Sequence, residues 1–173
     1  TTGVVGIVHG RDGGACGRAV GLRADMDALP MQEFNTFHHA SRHAGKMHAC
    51  GHDGHTAMLL AAAQHFAKHR AFDGTVYLIF QPAEEGGGGA RVMIEDGFFE
   101  KFPCDAVFAL HNMPGLEAGK LGFIDGPAMA SSDTATITVR GKGGHGAMPH
   151  AAVDPVVAAA SIVMALQTIV SRN

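Results

Sequence analysis

The run Met47-His48-Ala49-Cys50-Gly51-His52-Asp53-Gly54-His55 is the densest collection of reactive side chains in the sequence. Cys50 and His52 flank one glycine, so an extended backbone there would let a thiolate and an imidazole reach one ion. Both are ligands of zinc and of other borderline transition metals. Glu84-Glu85 precedes four glycines, Gly86 to Gly89. Adjacent carboxylates repel, and a cleft that holds both needs a cation or a shared proton. One can ligate a metal while its neighbour, aimed differently, acts as general base on a metal-activated water. His111-Asn112 offers a further imidazole, and Asp25-Met26-Asp27 offers carboxylates that could ligate or could orient a histidine. His145 stands in Gly141-Lys-Gly-Gly-His-Gly-Ala-Met-Pro-His150, where a glycine-flanked imidazole suits hydrogen bonding to a developing oxyanion.

Each group alone has a plainer reading. Cys50 could be a buried cysteine beside helix-capping groups, and the Glu pair a solvated turn. His111 could be a structural histidine bonded to backbone, and Asp25 and Asp27 turn formers. The run around His145 could be a polar loop; it lacks the Gly-Lys-[Ser/Thr] of a phosphate cradle. What favours chemistry is where the elements put these residues.

Residues 4–8 and 18–23 read as strands, and residues 54–69 as a helix with apolar positions Met58, Leu59, Ala62, Ala63 and Phe66. Thr75 to Phe80 (TVYLIF) is a near-continuous apolar run, as expected of a strand covered on both faces. Residues 89–96 read as a short helix stopped by Gly97, with buried strands at residues 106–110 and 120–124. This alternation predicts an α/β domain with a mostly parallel sheet and helices on both faces. Ligands bind beyond the carboxyl ends of such strands. Asp25, Glu84, Glu85 and His111 all follow strands, and the His-rich run precedes the first helix. Together they favour a two-metal hydrolytic centre.

Near residues 126–132 the pattern changes. Residues 133–140 alternate like a half-exposed strand, and Asp154-Pro155 opens a packed helix reaching about Val170, with a cap residue and a proline at its first position. We expect a catalytic domain over residues 1–128 and the start of an α+β domain over residues 129–173, within a longer protein.

Composition narrows the function. The net charge is −3 with no basic run, and tryptophan is absent, which argues against nucleic acid and anionic membranes as partners. Glycine (24) and histidine (12) are abundant. The stretch from Val156 is too short for a membrane span. Three cysteines without framework spacing suggest a reducing compartment, hence the cytoplasm.

Four motifs carry a resemblance that covers essentially the whole chain. They are Gly21-Leu-Arg-Ala-Asp-Met-Asp-Ala-Leu-Pro30, His48-Ala-Cys-Gly-His-Asp-Gly-His55, Gln81-Pro-Ala-Glu-Glu-Gly86 and the glycine-rich run ending at His150. In this order they resemble the amidohydrolase branch of the aminoacylase-type metallopeptidases. That branch includes hippurate hydrolases, N-acetyl-amino-acid deacetylases and hydrolases of indole-acetyl amino acid conjugates. The resemblance implies a two-metal aminopeptidase-like catalytic domain and a lid domain through which subunits dimerise. It implies two divalent ions, zinc or manganese foremost and cobalt or nickel as alternatives, held by Cys50, His52, Glu85 and His111, with the Cys50 thiolate as bridge. Glu84 would be the general base, Asp27 the orienting acid, and His145 a lid histidine acting at the opposite subunit's site. The substrate implied is an N-acyl amino acid. The family also supplies a final histidine ligand from a later segment, so these 173 residues are expected to be a fragment with an incomplete site. Competing readings are a dipeptidase or carboxypeptidase of the same family, an inactive metal-binding module, and a cysteine hydrolase built on Cys50 and His52.

Overall fold

The computed structural model describes residues 2–131 and 133–169. The chain divides into two compact units, Thr1–Lys120 and Leu121–Asn173.

The first unit is built on a four-stranded sheet of β1 (Val4–His9), β2 (Ala19–Asp25), β3 (Thr75–Gln81) and β4 (Ala106–Ala109), in the order β1-β3-β2-β4. β2 runs parallel to both β3 and β4, while β1 pairs antiparallel with β3. Three helices join the strands: α1 (His52–Lys68) between β2 and β3, then α2 (Gly89–Glu95) and α3 (Phe98–Lys101) between β3 and β4. The sheet is thus mostly parallel.

β3 shows why its sequence is apolar throughout. Side chains alternate across a strand, and the two sides of β3 enter two different cores. Val76 and Leu78 pack with Val8, Ala24 and Leu59 of α1, and Ile79 packs with Met93 of α2 and Phe98 of α3. Burying one such side chain is worth about 1.5–3 kcal/mol. Helices therefore cover both faces, as the alternation predicts.

The register determines what meets at the carboxyl edge. Asp25 lies opposite Gln81, and Ala109 lies opposite Arg23. Two residues further along each strand, position 111 comes level with position 25. The order of strands places β2 between the strand that follows it and the strand after that, so the chain changes direction across β2. This is the crevice where ligands bind in open α/β sheets. At the opposite edge, Asp12 anchors the β1–β2 connection by accepting the N–H groups of Gly14, Cys16 and Gly74, at 2.8–3.0 Å.

Several elements differ from expectation. β2 extends to Asp25 because its ladder with β3 continues that far. α1 begins at His52 and not at Gly54, because Gly51 at φ 82° turns the chain into the helix without a side-chain cap. β4 is a sheet edge, not a buried strand: Val107 is 43% and Phe108 60% exposed, since only β2 pairs with it. Among the described residues no strand forms over 120–124 or 133–140; nothing pairs with either segment, and unpaired backbone gains no ladder.

The second unit contains a 3-10 turn at Pro149–Ala151 and the helix α4 (Pro155–Leu166), joined to the preceding loop by a bridge between Lys142 and Val153. Asp154 caps α4 as expected, accepting the N–H of Val156 at 2.8 Å, with Pro155 at the first position. α4 buries none of its residues, so the expected packing is not seen: among the described residues no other element of its unit lies over it. Val170, the expected end of that helix, is outside the described residues.

Candidate metal centre

His52 is the hub. It sits in the first turn of α1 and is 0% exposed. Its Nδ1 lies 3.1 Å from both the backbone oxygen and Oδ1 of Asp27. Both oxygens only accept, so Nδ1 carries the proton and Nε2 presents a lone pair. Among the described residues, that Nε2 is the one buried side-chain polar atom without a hydrogen-bond partner. Three carboxylate oxygens stand around it beyond hydrogen-bond reach: Asp25 Oδ2 at 3.7 Å, Glu85 Oε1 at 3.8 Å and Glu84 Oε2 at 4.0 Å. A buried lone pair costs about 1–3 kcal/mol when unsatisfied. Ringed by carboxylates, it is complementary to a cation.

The carboxylates come from the carboxyl end of β2 and from the loop that follows β3. Asp27, just past β2, ties them together: Oδ1 accepts the His52 Nδ1–H and Oδ2 accepts the N–H of Glu85 at 3.0 Å. Burial pushes the Asp27 carboxyl up, but the backbone amides of Glu85 and Glu84 outweigh it and hold the group below the usual range. The Glu84-Glu85 loop turns through Ala83 at φ 52°, the one non-glycine residue with positive φ among the described residues. Such strain costs about 1–3 kcal/mol and persists where the surroundings over-determine it. Gly89 closes the loop, and a Cβ there would lie 1.7 Å from the Pro82 carbonyl oxygen.

Cys50 and His111 complete the ring. Cys50 Sγ lies 3.4 Å from His111 Nε2, while His111 Nδ1 donates to the Asn112 carbonyl at 2.7 Å. Burial and the carboxylate of Glu85 push the Cys50 thiol up, a direction that favours the protonated sulfur. A bound cation reverses that preference. The left-handed turn at Gly51, not extended backbone, brings Cys50 and His52 to the same side.

Three groups of ligand-type atoms lie within 4.8 Å of one another: Cys50, His52 and His111; His52, Glu84 and Glu85; and Asp25, His52 and His55. In the third, Asp25 and His55 already have partners of their own. Asp25 accepts from Arg23 at 2.9 Å and faces His55 Nδ1 at 2.6 Å, and His55 Nε2 meets the Asn112 N–H at 2.9 Å. Burial raises the Asp25 carboxyl, but the hydrogen bond from His55 and the Arg23 charge outweigh it and hold it below the usual range. The other two groups share His52 and unite all the expected ligands with Glu84. They join a soft sulfur, imidazole nitrogens and hard oxygens, a donor set that zinc and related ions accept.

The structure therefore brings Cys50, His52, Glu84, Glu85, His111 and Asp27 together. His145 belongs to the second unit, exposed, with Nδ1 accepting the Ala147 N–H at 3.1 Å. His55 and Asn112 were not among the expected site residues. His55 falls three positions after His52, a spacing that shares a helix face once the helix is known to start at His52.

A mostly parallel α/β domain with this pocket at its carboxyl edge defines a metallohydrolase-type scaffold. The model of peptidase family M20/M25/M40 matches residues 21–172, and the chain belongs to that family. It is 53% identical to the hippurate hydrolase of Campylobacter jejuni over 99% of its own length and 44% of that protein's. It is 51% identical to the N-acyl-L-amino acid amidohydrolase of Geobacillus stearothermophilus, over 90% of this chain and 42% of the relative. Among solved structures it resembles the Bacillus subtilis YXEP protein, described as a dinuclear metal binding peptidase of the M20 family. That match has 44% identity and TM-score 0.67, and covers 73% of this chain and 34% of that one. The chain thus spans less than half the length of these relatives.

Proposed function

We propose that the full chain hydrolyses the amide bond of N-acyl amino acids, hippurate-like or N-acetylated, to a carboxylate and an amino acid. The observation that carries the reading is the buried, partnerless Nε2 of His52 facing Glu84 and Glu85. The relatives named for hippurate and N-acyl amino acid hydrolysis support the substrate class.

In this reading Cys50, His52, Glu85 and His111 would hold two divalent ions, zinc or manganese foremost. When bound, the ions supply Lewis acidity and bring the pKa of water towards neutrality. Glu84 is the more open of the two glutamates, 44% exposed at its side chain against 26% for Glu85. It takes the proton of the attacking water and returns it to the leaving amine. Asp27 fixes the His52 tautomer and, through the Glu85 N–H, the loop that carries both glutamates. His145 lies on a lid domain that begins near residue 129 and forms a homodimer, and it donates to the oxyanion in the opposite subunit's site. A cytoplasmic setting accords with three free cysteines. Among the described residues no helix is long and apolar enough to cross a membrane.

The test is a substrate panel on the full chain. Hippurate and N-acetyl amino acids are expected to be cleaved, with activity lost on chelation and restored by zinc or manganese. Cleavage of unblocked dipeptides with no turnover of N-acyl amino acids would replace this reading with the dipeptidase one. Activity that survives chelation and disappears in Cys50→Ser would point to a cysteine hydrolase.

A further inference from the structure

We infer that His55 is a positioning residue that sets the His111 imidazole by gripping the backbone of Asn112. The inference rests on the metal-centre reading above and extends it to a residue that reading does not use.

His55 is 2% exposed and both its ring nitrogens are engaged. The Asn112 N–H can only donate, so Nε2 accepts from it at 2.9 Å. The His55 proton therefore lies on Nδ1 and goes to Asp25 Oδ1 at 2.6 Å. Asn112 Oδ1 lies 2.6 Å from the same Nε2, an acceptor facing an acceptor in this tautomer, so the side-chain amide is assigned the flipped orientation with its NH2 towards the ring. Asn112 is then held from the other end, because its carbonyl accepts the His111 Nδ1–H at 2.7 Å. The result is one continuous chain, Asp25 to His55 to Asn112 to His111, that ends with His111 Nε2 facing Cys50 Sγ at 3.4 Å.

The need for such a device follows from the fold. His111 is exposed and lies beyond the last ladder residue of edge strand β4, so no sheet hydrogen bond locates it. The His55 ring meets the His111 ring edge-on at 4.7 Å, adding a direct contact. On its other side Asn112 abuts Gly51, where a Cβ would lie 2.5 Å from the Asn112 side chain. Gly51, at φ 82°, is the residue that brings Cys50 and His52 together. His55 and Asn112 thus couple the segment that bears His111 to the turn that bears Cys50 and His52. His55 is not itself a ligand, since neither nitrogen is free. A preset ring orientation spares the ordering cost that an exposed histidine otherwise meets on binding.

The two ends of His55 can be separated by isosteres. In His55→Gln the longer amide reaches the place of Nε2 and keeps an acceptor for the Asn112 N–H. In His55→Asn the shorter amide reaches Asp25 and loses Asn112. The experiment is cobalt(II) titration of the metal-free full chain, read by the thiolate-to-cobalt charge-transfer band and the d–d bands, with thermal unfolding of the metal-free form alongside. His55→Asn is expected to weaken one cobalt equivalent by about 10–100-fold and to shift its d–d bands. His55→Gln is expected to lose less than about tenfold. Equal losses in the two variants, tracking equal losses in unfolding temperature, would make His55 a plain structural residue and overturn the inference. Parent-like cobalt affinity in both would overturn it as well. A parent chain that shows no thiolate–cobalt band would instead bring down the metal-centre reading, and the role of His55 with it.

Discussion

Glu84→Gln in the full chain is expected to lower kcat by about 10²–10⁴ while the protein keeps its metal. The substitution preserves shape and hydrogen-bonding reach but removes the ability to take a proton. The two glutamates are separable because they differ in exposure and in what holds them. The Glu85 backbone is fixed by Asp27, and its carboxylate lies 3.8 Å from His52 Nε2 with 26% of the side chain exposed. Glu84 stands at 4.0 Å and is the more open. Metal content by mass spectrometry and steady-state turnover of hippurate check the two halves independently. Unchanged turnover would remove Glu84 from the general-base role. Lost turnover together with lost metal would make it a ligand instead.

His52→Asn carries the largest expected effect on binding. Asparagine can keep a donor for Asp27 where Nδ1 now stands, yet it offers nothing in place of Nε2. His52 Nε2 is the ligand atom common to both groups, so its loss removes the donor around which the other residues are gathered. Affinity is expected to fall by more than the roughly 10–100-fold typical of losing a ligand's supporting partner. Asp27→Asn gives that reference, since the Asp27 backbone oxygen still accepts from Nδ1 at 3.1 Å. Competition with a chelator of known affinity ranks the two variants. Weaker binding in Asp27→Asn than in His52→Asn would contradict the assignment of His52 as hub.

Much of this arrangement was legible in the residues. TVYLIF announced a strand with two covered faces, and β3 has two cores because its neighbours bring helices to both sides. The carboxyl-edge positions of Asp25, Glu84, Glu85 and His111 followed from strand–helix alternation alone. The sequence pattern places the start of α1 at Gly54 and the structure at His52, because the first turn has no capping side chain, only a left-handed glycine. β4 looked buried because AVFAL is apolar, yet exposure depends on what lies beside an edge. The segments 120–124 and 133–140 have strand-like composition, and composition supplies no partner for a ladder. The link from His55 to Asn112 was out of reach for a different reason. It joins residues 57 apart through the register of β2 against β4, a tertiary fact that no local pattern encodes.

The central claim is that the His52 nitrogen, buried among carboxylates, is a metal ligand. Anomalous diffraction from crystals of the full chain, grown with zinc and recorded at the zinc edge, tests it most directly. The account predicts density within about 2.0–2.1 Å of His52 Nε2 and within about 2.3 Å of Cys50 Sγ. A strong zinc signal elsewhere on the molecule, with none at His52 Nε2, would contradict it.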